Sequence, residues 1–190
     1  MLTLSQIRPV PRATALIAAL LFIIPGAQAT PELRSPEETP VNAIERESER
    51  QIESLKQLYL TNDAVSALLQ HLNALLRTHA FTEDRIVDLD KPQGLVYQLD
   101  VNEARELVVR TDDYRKAGAA QHSSKSVDVS GVDPYVGYNC EARSRKCWIT
   151  DPVDASSEWL TLAHEPASVE KISASMAELI KRLQQRVGSS

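Results

Sequence analysis

The sequence has few of the residues that usually mark a catalytic or cofactor site. It contains two cysteines, four histidines and six glycines in 190 residues. A Walker A loop and a dinucleotide-binding fingerprint both need closely spaced glycines that let the backbone approach phosphate, and neither pattern occurs. The Gly-x-Ser-x-Gly elbow that presents a nucleophilic serine is also missing. The sequence therefore predicts no catalytic residues and no cofactor.

Metal-ligand spacing is missing as well. His71 and His79 lie on one predicted helix, but eight residues separate them, and histidines that share a metal on a helix are usually three or four apart. His164-Glu165 begins like a zinc-protease motif, yet Ser168 stands where the second histidine would be. Two cysteines without a nearby histidine fall short of four zinc ligands. The sequence predicts no metal site.

The N-terminal segment 1–29 has the pattern of a cleavable signal peptide. Two arginines precede the apolar run Ala13–Ile24, Pro25-Gly26 follows, and Ala27-Gln28-Ala29 places small residues at a cleavage site. The alternative is a membrane anchor, but 12 apolar residues are few beside the roughly 20 that cross a bilayer. We expect a periplasmic or secreted product with no stable membrane insertion, and the lack of Asn-x-Ser/Thr sites favours a bacterial periplasm.

Cleavage would leave an acidic protein. The segment contains two arginines and no acids, so its removal takes the formal net charge from -5 to -7. A chain of this charge without a basic stripe has little attraction for phosphate backbones, which argues against nucleic acid as a partner.

The remaining chain predicts one α+β domain preceded by a short linker. We expect an N-terminal helical segment, a small antiparallel sheet with a disulfide-bridged hairpin, and a C-terminal amphipathic helix packed on the sheet. The predicted boundaries are 30–40 for a flexible linker and 41–190 for the domain, divided into 41–80 (helical), 93–163 (mainly sheet) and 166–187 (helix).

The helical region 41–80 contains either one long amphipathic helix or two. Thr61-Asn62-Asp63 can cap a second helix, which would divide the region near residue 61. Seven positions fall on a seven-residue repeat typical of a coiled coil, with one polar residue that could fix the register of a homo-oligomer. We favour the alternative that this face packs on the protein's own sheet. The seam consists of Leu55, Leu58, Asn62, Val65, Leu69, Leu72 and Leu76.

The sheet region begins with Gly94–Leu99, which has the β-branched and aromatic content of a strand. Residues 102–117 fit a strand or a helix capped by Asn102. The stretch Gly118–Ser124 has a loop-like composition, and Ser126–Val132 alternates like an edge strand. A further strand is predicted at Trp159–Leu162.

The two cysteines lie in a predicted β-hairpin. Residues 135–150 form two strand-like stretches around a polar tip, and six residues separate Cys140 from Cys147. An even cysteine count in an exported protein predicts a disulfide. The pair lacks the two-residue spacing of redox-active cysteines.

The tip of this hairpin is basic in an otherwise acidic protein. Arg143, Arg145 and Lys146 lie between or beside the cysteines, and Trp148 follows. A loop held by a disulfide loses little entropy on binding, and tryptophan is a frequent interface anchor. These residues suggest a docking loop, whereas the alternative is an exposed turn beside a core tryptophan.

These features predict a non-catalytic protein-binding or accessory module of an envelope or secretion assembly, with a protein partner in the envelope. One alternative is an envelope hydrolase assembled from distant residues such as His122, His164 and Glu165. Another is a small-ligand or inhibitor-binding protein that uses the sheet face opposite the C-terminal helix.

Overall fold

The computed structural model describes residues 40–82, 94–115 and 119–187. The predicted signal peptide 1–29 lies outside the described residues, as does the predicted linker except for Pro40, where the first helix begins.

The N-terminal helical region forms two helices. α1 spans Pro40–Leu58 and α2 spans Ala64–His79. Leu60 in the connection has a φ of 52°, which ends α1. Asp63 caps α2, since its carboxylate accepts hydrogen bonds from the backbone N–H groups of Val65 and Ser66 at 3.4 and 3.2 Å. Of the two predicted alternatives, the pair of helices is confirmed.

Six antiparallel strands form two three-stranded sheets. The order is β1-β2-β3 in the first sheet and β4-β5-β6 in the second. The strands are β1 (Leu95–Val101), β2 (Leu107–Asp113), β3 (Gln121–Val127), β4 (Tyr138–Glu141), β5 (Lys146–Thr150) and β6 (Glu158–Ala163).

A short segment after α2 links the two sheets. Phe81 N–H donates to the carbonyl of Thr161 in β6 at 3.2 Å, and the Phe81 carbonyl accepts from the N–H of Leu95 in β1 at 2.9 Å. Single bridges pair Ala80 with Leu162 and Thr82 with Gly94. Thus residues 80–82 lie between β1 and β6.

The linked strands curl around the core. Lys125 of β3 forms an ion pair with Asp151, which directly follows β5. With strands about 4.8 Å apart, β3 and β5 would be separated by roughly 24 Å if all strands lay in one flat layer. The ion pair therefore shows that the edge of the first sheet bends back toward the second.

One core lies between the concave face of the strands and two helices. α2 packs on β1, β6 and α3, and α3 packs on β4 and β5. The apolar face predicted for the C-terminal helix is confirmed in α3, which spans Pro166–Val187. The α+β fold class is therefore confirmed. Fully buried side chains include Leu72, Leu76, Leu107, Ile149, Leu160, Leu162, Ile172, Met176, Leu179 and Ile180.

The region between β1 and β4 decides between the two alternatives for residues 102–117 and corrects two predictions. Residues 102–113 form a hairpin turn and β2, and no helix begins at Asn102. The predicted loop at 118–124 is wrong in part, because β3 already begins at Gln121. The edge strand predicted at 126–132 lies earlier in the chain, because β3 ends at Val127. All residues of β3 except Val127 are exposed, so this strand is held by its backbone ladder with β2 and carries little apolar pattern.

Within the described part of the chain, no helix combines the length and apolar character needed to cross a bilayer.

Candidate functional site

The predicted disulfide joins the two strands of the hairpin next to its turn. Cys140 and Cys147 are directly paired across β4 and β5, with an S–S distance of 2.01 Å and a Cα–Cα distance of 4.0 Å. Cys147 is buried in the core, and Cys140 is half-buried. The next pair, Glu141 and Lys146, closes the turn. The covalent bond therefore holds the hairpin one residue pair below its tip.

The turn itself is ordered by local hydrogen bonds. Arg145 N–H donates to the Ala142 carbonyl at 3.3 Å, and Ser144 Oγ donates to the Glu141 carbonyl at 3.4 Å. Arg145 has a φ of 54°, in the left-handed region that glycine and asparagine occupy more readily. Arg143 and Arg145 are both exposed at this tip.

The three cations predicted as a docking loop have different surroundings. Among the described residues, no carboxylate forms an ion pair with Arg143 or Arg145. Lys146, by contrast, has its Nζ 3.9 Å from Glu158 Oε2 and 5.8 Å from the ring centroid of Trp148. The two arginines are therefore the available charges of the tip.

Trp148 lies on the outward face of the second sheet. Its neighbours Cys147 and Ile149 are fully buried, and alternation along β5 directs Trp148 away from the core. Asn139 and Thr161 flank it on the adjacent strands. The alternative that Trp148 is a core residue is not supported, because its side chain is half-buried on the outer surface beside the basic tip.

The leucine seam is divided between the core and the surface. Val65, Leu72 and Leu76 are buried, Leu55 and Leu69 are partly buried against the same core, and Asn62 is exposed. Leu58 is 67% exposed where α1 ends. Because the helix breaks between residues 58 and 64, the seven-residue repeat does not follow one continuous helix. The homo-oligomer through this seam stays a prediction.

The residues suggested for a hydrolase active site have different interaction partners in different parts of the fold. Glu165 Oε2 is 2.9 Å from His79 Nδ1, although these atoms do not have hydrogen-bond geometry, and it accepts a 3.3 Å hydrogen bond from Ser168 Oγ. In a hydrolytic triad the histidine stands between nucleophile and acid, whereas here the acid stands between serine and histidine. His164 is exposed beside this group.

His122, the other suggested participant, belongs to β3. Its Nδ1 lies 2.7 Å from Asp112 Oδ1 on the directly opposite residue of β2. Both side chains are well exposed to solvent. Among the described residues, the polar partner of His122 is Asp112, whereas those of Glu165 are His79 and Ser168.

A buried carboxylate that the sequence analysis did not single out supports the second sheet. The Asp151 side chain is 1% exposed and accepts hydrogen bonds from the N–H groups of Val153 and Asp154 at 2.8 and 3.1 Å, besides its ion pair with Lys125. Burial by itself would raise the pKa of Asp151, but these three donors outweigh burial and hold that pKa below its ordinary value. The sequence signal that could have revealed it is position, since Asp151 follows Cys147 and Ile149 at alternate residues and therefore falls on the same face of the strand.

The described residues include no group of three or more histidine, cysteine or acidic side chains placed to hold a metal ion. Comparison with protein-family models, with curated proteins and with solved structures finds no match to this chain.

Proposed function

We propose that this protein is exported and acts, without catalysis, as a protein-binding accessory module of an envelope or secretion assembly. The N-terminal signal-peptide pattern and the disulfide support a periplasmic or secreted location. None of the catalytic motifs considered above is complete in the sequence, which favours a binding role over an enzymatic one.

The observation that carries the proposal is the exposed pair of arginines at the tip of a disulfide-bridged hairpin. Arg143 and Arg145 occupy a turn fixed by the disulfide and by two local hydrogen bonds. Ordering a flexible loop on binding costs free energy, and a loop already ordered in the free protein avoids most of that cost. A rigid tip with unneutralised charge is therefore well suited to a specific contact.

Trp148 supports the same surface. It lies on the outward side of β5, one residue beyond the disulfide, and its ring is half-buried. Tryptophan contributes large contact area at a low entropy cost, which is why it is frequent among the residues that dominate interfaces. The two exposed arginines and the Trp148 ring therefore place positive charge beside an aromatic contact surface.

The experiment is affinity capture with the protein from Thr30 to Ser190, which contains all described residues. Extracts of the envelope and the medium of the producing organism would be passed over the wild type and over a triple variant, R143S/R145S/K146S. We expect a stoichiometric partner on the wild type and its loss on the triple variant.

A charge-matched control is R77S/R110S/K171S. These three cations are exposed on α2, β2 and α3, and none has an ion-pair partner among the described residues. This control should retain the partner. Equal capture by both triple variants would contradict the proposed docking tip, and failure of the wild type to capture any stoichiometric partner would contradict the binding-module proposal.

A further inference from the structure

We infer that the tip binds a short acidic segment of a protein partner. Arg143 and Arg145 form ion pairs with this segment, whereas Lys146 does not. The inference rests on the proposed function and specifies the chemistry of the partner. It follows from the charge, exposure and existing contacts of each cation in the hairpin.

The two arginines have unused binding capacity. Each guanidinium has five N–H donors in a planar fork that matches the two oxygens of a carboxylate. Both side chains are exposed, and no carboxylate of the described residues pairs with either. A partner carboxylate can therefore bind them without displacing an internal ion pair.

Lys146 differs because it already has two interactions within its own sheet. Its Nζ lies near Glu158 of β6 and over the ring of Trp148. Its side chain is 32% exposed, so this lysine already covers part of the outer surface of β5 and β6. A ligand that recruited Lys146 would have to break these contacts, so Lys146 takes no part in the contact with the acidic segment.

The charge of the whole molecule favours a short anionic segment over an extended polyanion. The formal net charge is -5, and Glu141 and Glu158 lie beside the tip. A nucleic acid or an anionic membrane gains affinity from many simultaneous contacts with basic side chains. Two free arginines surrounded by acids cannot supply such a footprint. Two adjacent carboxylates on a peptide match the two arginines in number.

Trp148 provides an optical signal for this contact, because it lies beside the tip. The other tryptophan, Trp159, has no hydrogen-bond partner for its buried Nε1 among the described residues. Trp159→Phe therefore removes no protein hydrogen bond and leaves Trp148 as the single tryptophan in the chain. All binding variants would be made in this background, with circular dichroism to verify that each is folded.

The probe is a capped peptide with four consecutive acidic residues, Glu-Glu-Asp-Glu, flanked by Gly-Ser. Its counterpart carries Gln-Gln-Asn-Gln. At low salt we expect the acidic peptide to give a saturable change in Trp148 fluorescence, which weakens when salt is raised from about 50 to 200 mM. R143S/R145S should bind about tenfold more weakly, which corresponds to the loss of two moderately strong ion pairs.

Three further variants separate charge, geometry and position. K146S and R77S/R110S should bind the acidic peptide within about twofold of the affinity of the background protein, because neither variant removes Arg143 or Arg145. R143K/R145K keeps the charge but loses the fork, and should bind more weakly than the background protein. The same titrations with phosphatidylglycerol vesicles test an anionic membrane as the occupant.

The inference is contradicted if R143S/R145S binds as well as the background protein, if the amide peptide binds equally, or if the vesicles bind and the acidic peptide does not. These failures are distinguishable from failure of the proposed function. Tip-dependent capture of a partner combined with no binding of the acidic peptide would leave the protein-binding role in place and overturn the acidic segment alone.

Discussion

Asp151→Asn should destabilise the protein in a pH-dependent way. The substitution keeps the shape of the side chain and an oxygen that can accept from the N–H groups of Val153 and Asp154. It replaces the oxygen that contacts Lys125 with an amide group that carries no charge. The mutation therefore measures the contribution of the carboxylate charge to the free energy of unfolding.

The expected magnitude follows from the exposure of the two partners. A hydrogen bond to a charged group contributes about 1.5–3 kcal/mol. The Asp151 side chain is 1% exposed, but that of Lys125 is 57% exposed and can recover hydration when the pair is broken. We expect a loss near the lower end of the range, about 2 kcal/mol at neutral pH. For a domain of this size that corresponds to roughly 4–8 °C in Tm.

The sign of the pH dependence follows from the lowered pKa. Because the folded-state pKa of Asp151 lies below its ordinary value, the carboxylate stabilises the fold above the unfolded-state pKa, and this stabilisation is lost as pH falls through the folded-state pKa. Protonated aspartic acid resembles asparagine. The difference in free energy of unfolding between wild type and D151N should therefore shrink at acid pH.

The assay is urea unfolding of wild type, D151N, K125Q and the double variant from pH 7 to pH 2. The double variant should lose less than the sum of the single losses, because both remove the same interaction. A D151N effect that stays constant across this pH range, or strict additivity with K125Q, would contradict a stabilising charge interaction between Asp151 and Lys125.

Three other predictions concern the hairpin turn, the core and the segment that links the two sheets. Arg145→Asn should stabilise the fold by up to about 1 kcal/mol in thermal unfolding, because asparagine tolerates the φ of 54° at this position better than arginine. A loss of stability would contradict the strain argument. Leu72→Ala should cost about 2–5 kcal/mol and Leu58→Ala under about 0.5 kcal/mol, with the protein monomeric in analytical ultracentrifugation, whereas dissociation of an oligomer by Leu58→Ala would establish the seam as an interface. Gly94→Ala should cost about 1–3 kcal/mol by denaturant unfolding, since its Cβ would lie 2.6 Å from a backbone carbonyl oxygen in the linking segment, and unchanged stability would contradict this tight approach.

The C-terminal helix and the hairpin could be predicted from the sequence because each has a strong local signal. In α3 the apolar residues recur at helical spacing over 22 residues, and the buried face follows that pattern. In the hairpin, two strand-like stretches around a polar tip coincide with the only two cysteines. Local pattern and tertiary structure agree at both places.

The first sheet was harder to predict because its edge strand lacks such a signal. β3 reads Gln-His-Ser-Ser-Lys-Ser-Val, and its pairing with β2 depends on backbone groups that every residue carries. The link through residues 80–82 and the Lys125–Asp151 ion pair join segments that are far apart in sequence. Neither contact has a periodic pattern from which it could be read.

The basic composition of the tip could be predicted from the sequence, but the contacts of its individual side chains could not. The sequence indicated three cations and a tryptophan as one group. The structure separates them, since Lys146 contacts Glu158 and Trp148, whereas no carboxylate among the described residues pairs with either arginine. This difference depends on the pairing of β5 with β6, which follows the hairpin in the chain.

The most direct test of the docking role is site-specific photocrosslinking from the hairpin tip in the producing cells. A photoreactive amino acid at the exposed Ala142, beside Arg143, would be compared with the same residue at the exposed Ala104 in the β1–β2 turn. A docking tip should give one discrete protein adduct from position 142, lost in the R143S/R145S background, and none from position 104. Adducts of equal pattern from both positions, or no adduct from position 142, would contradict a docking role for the tip.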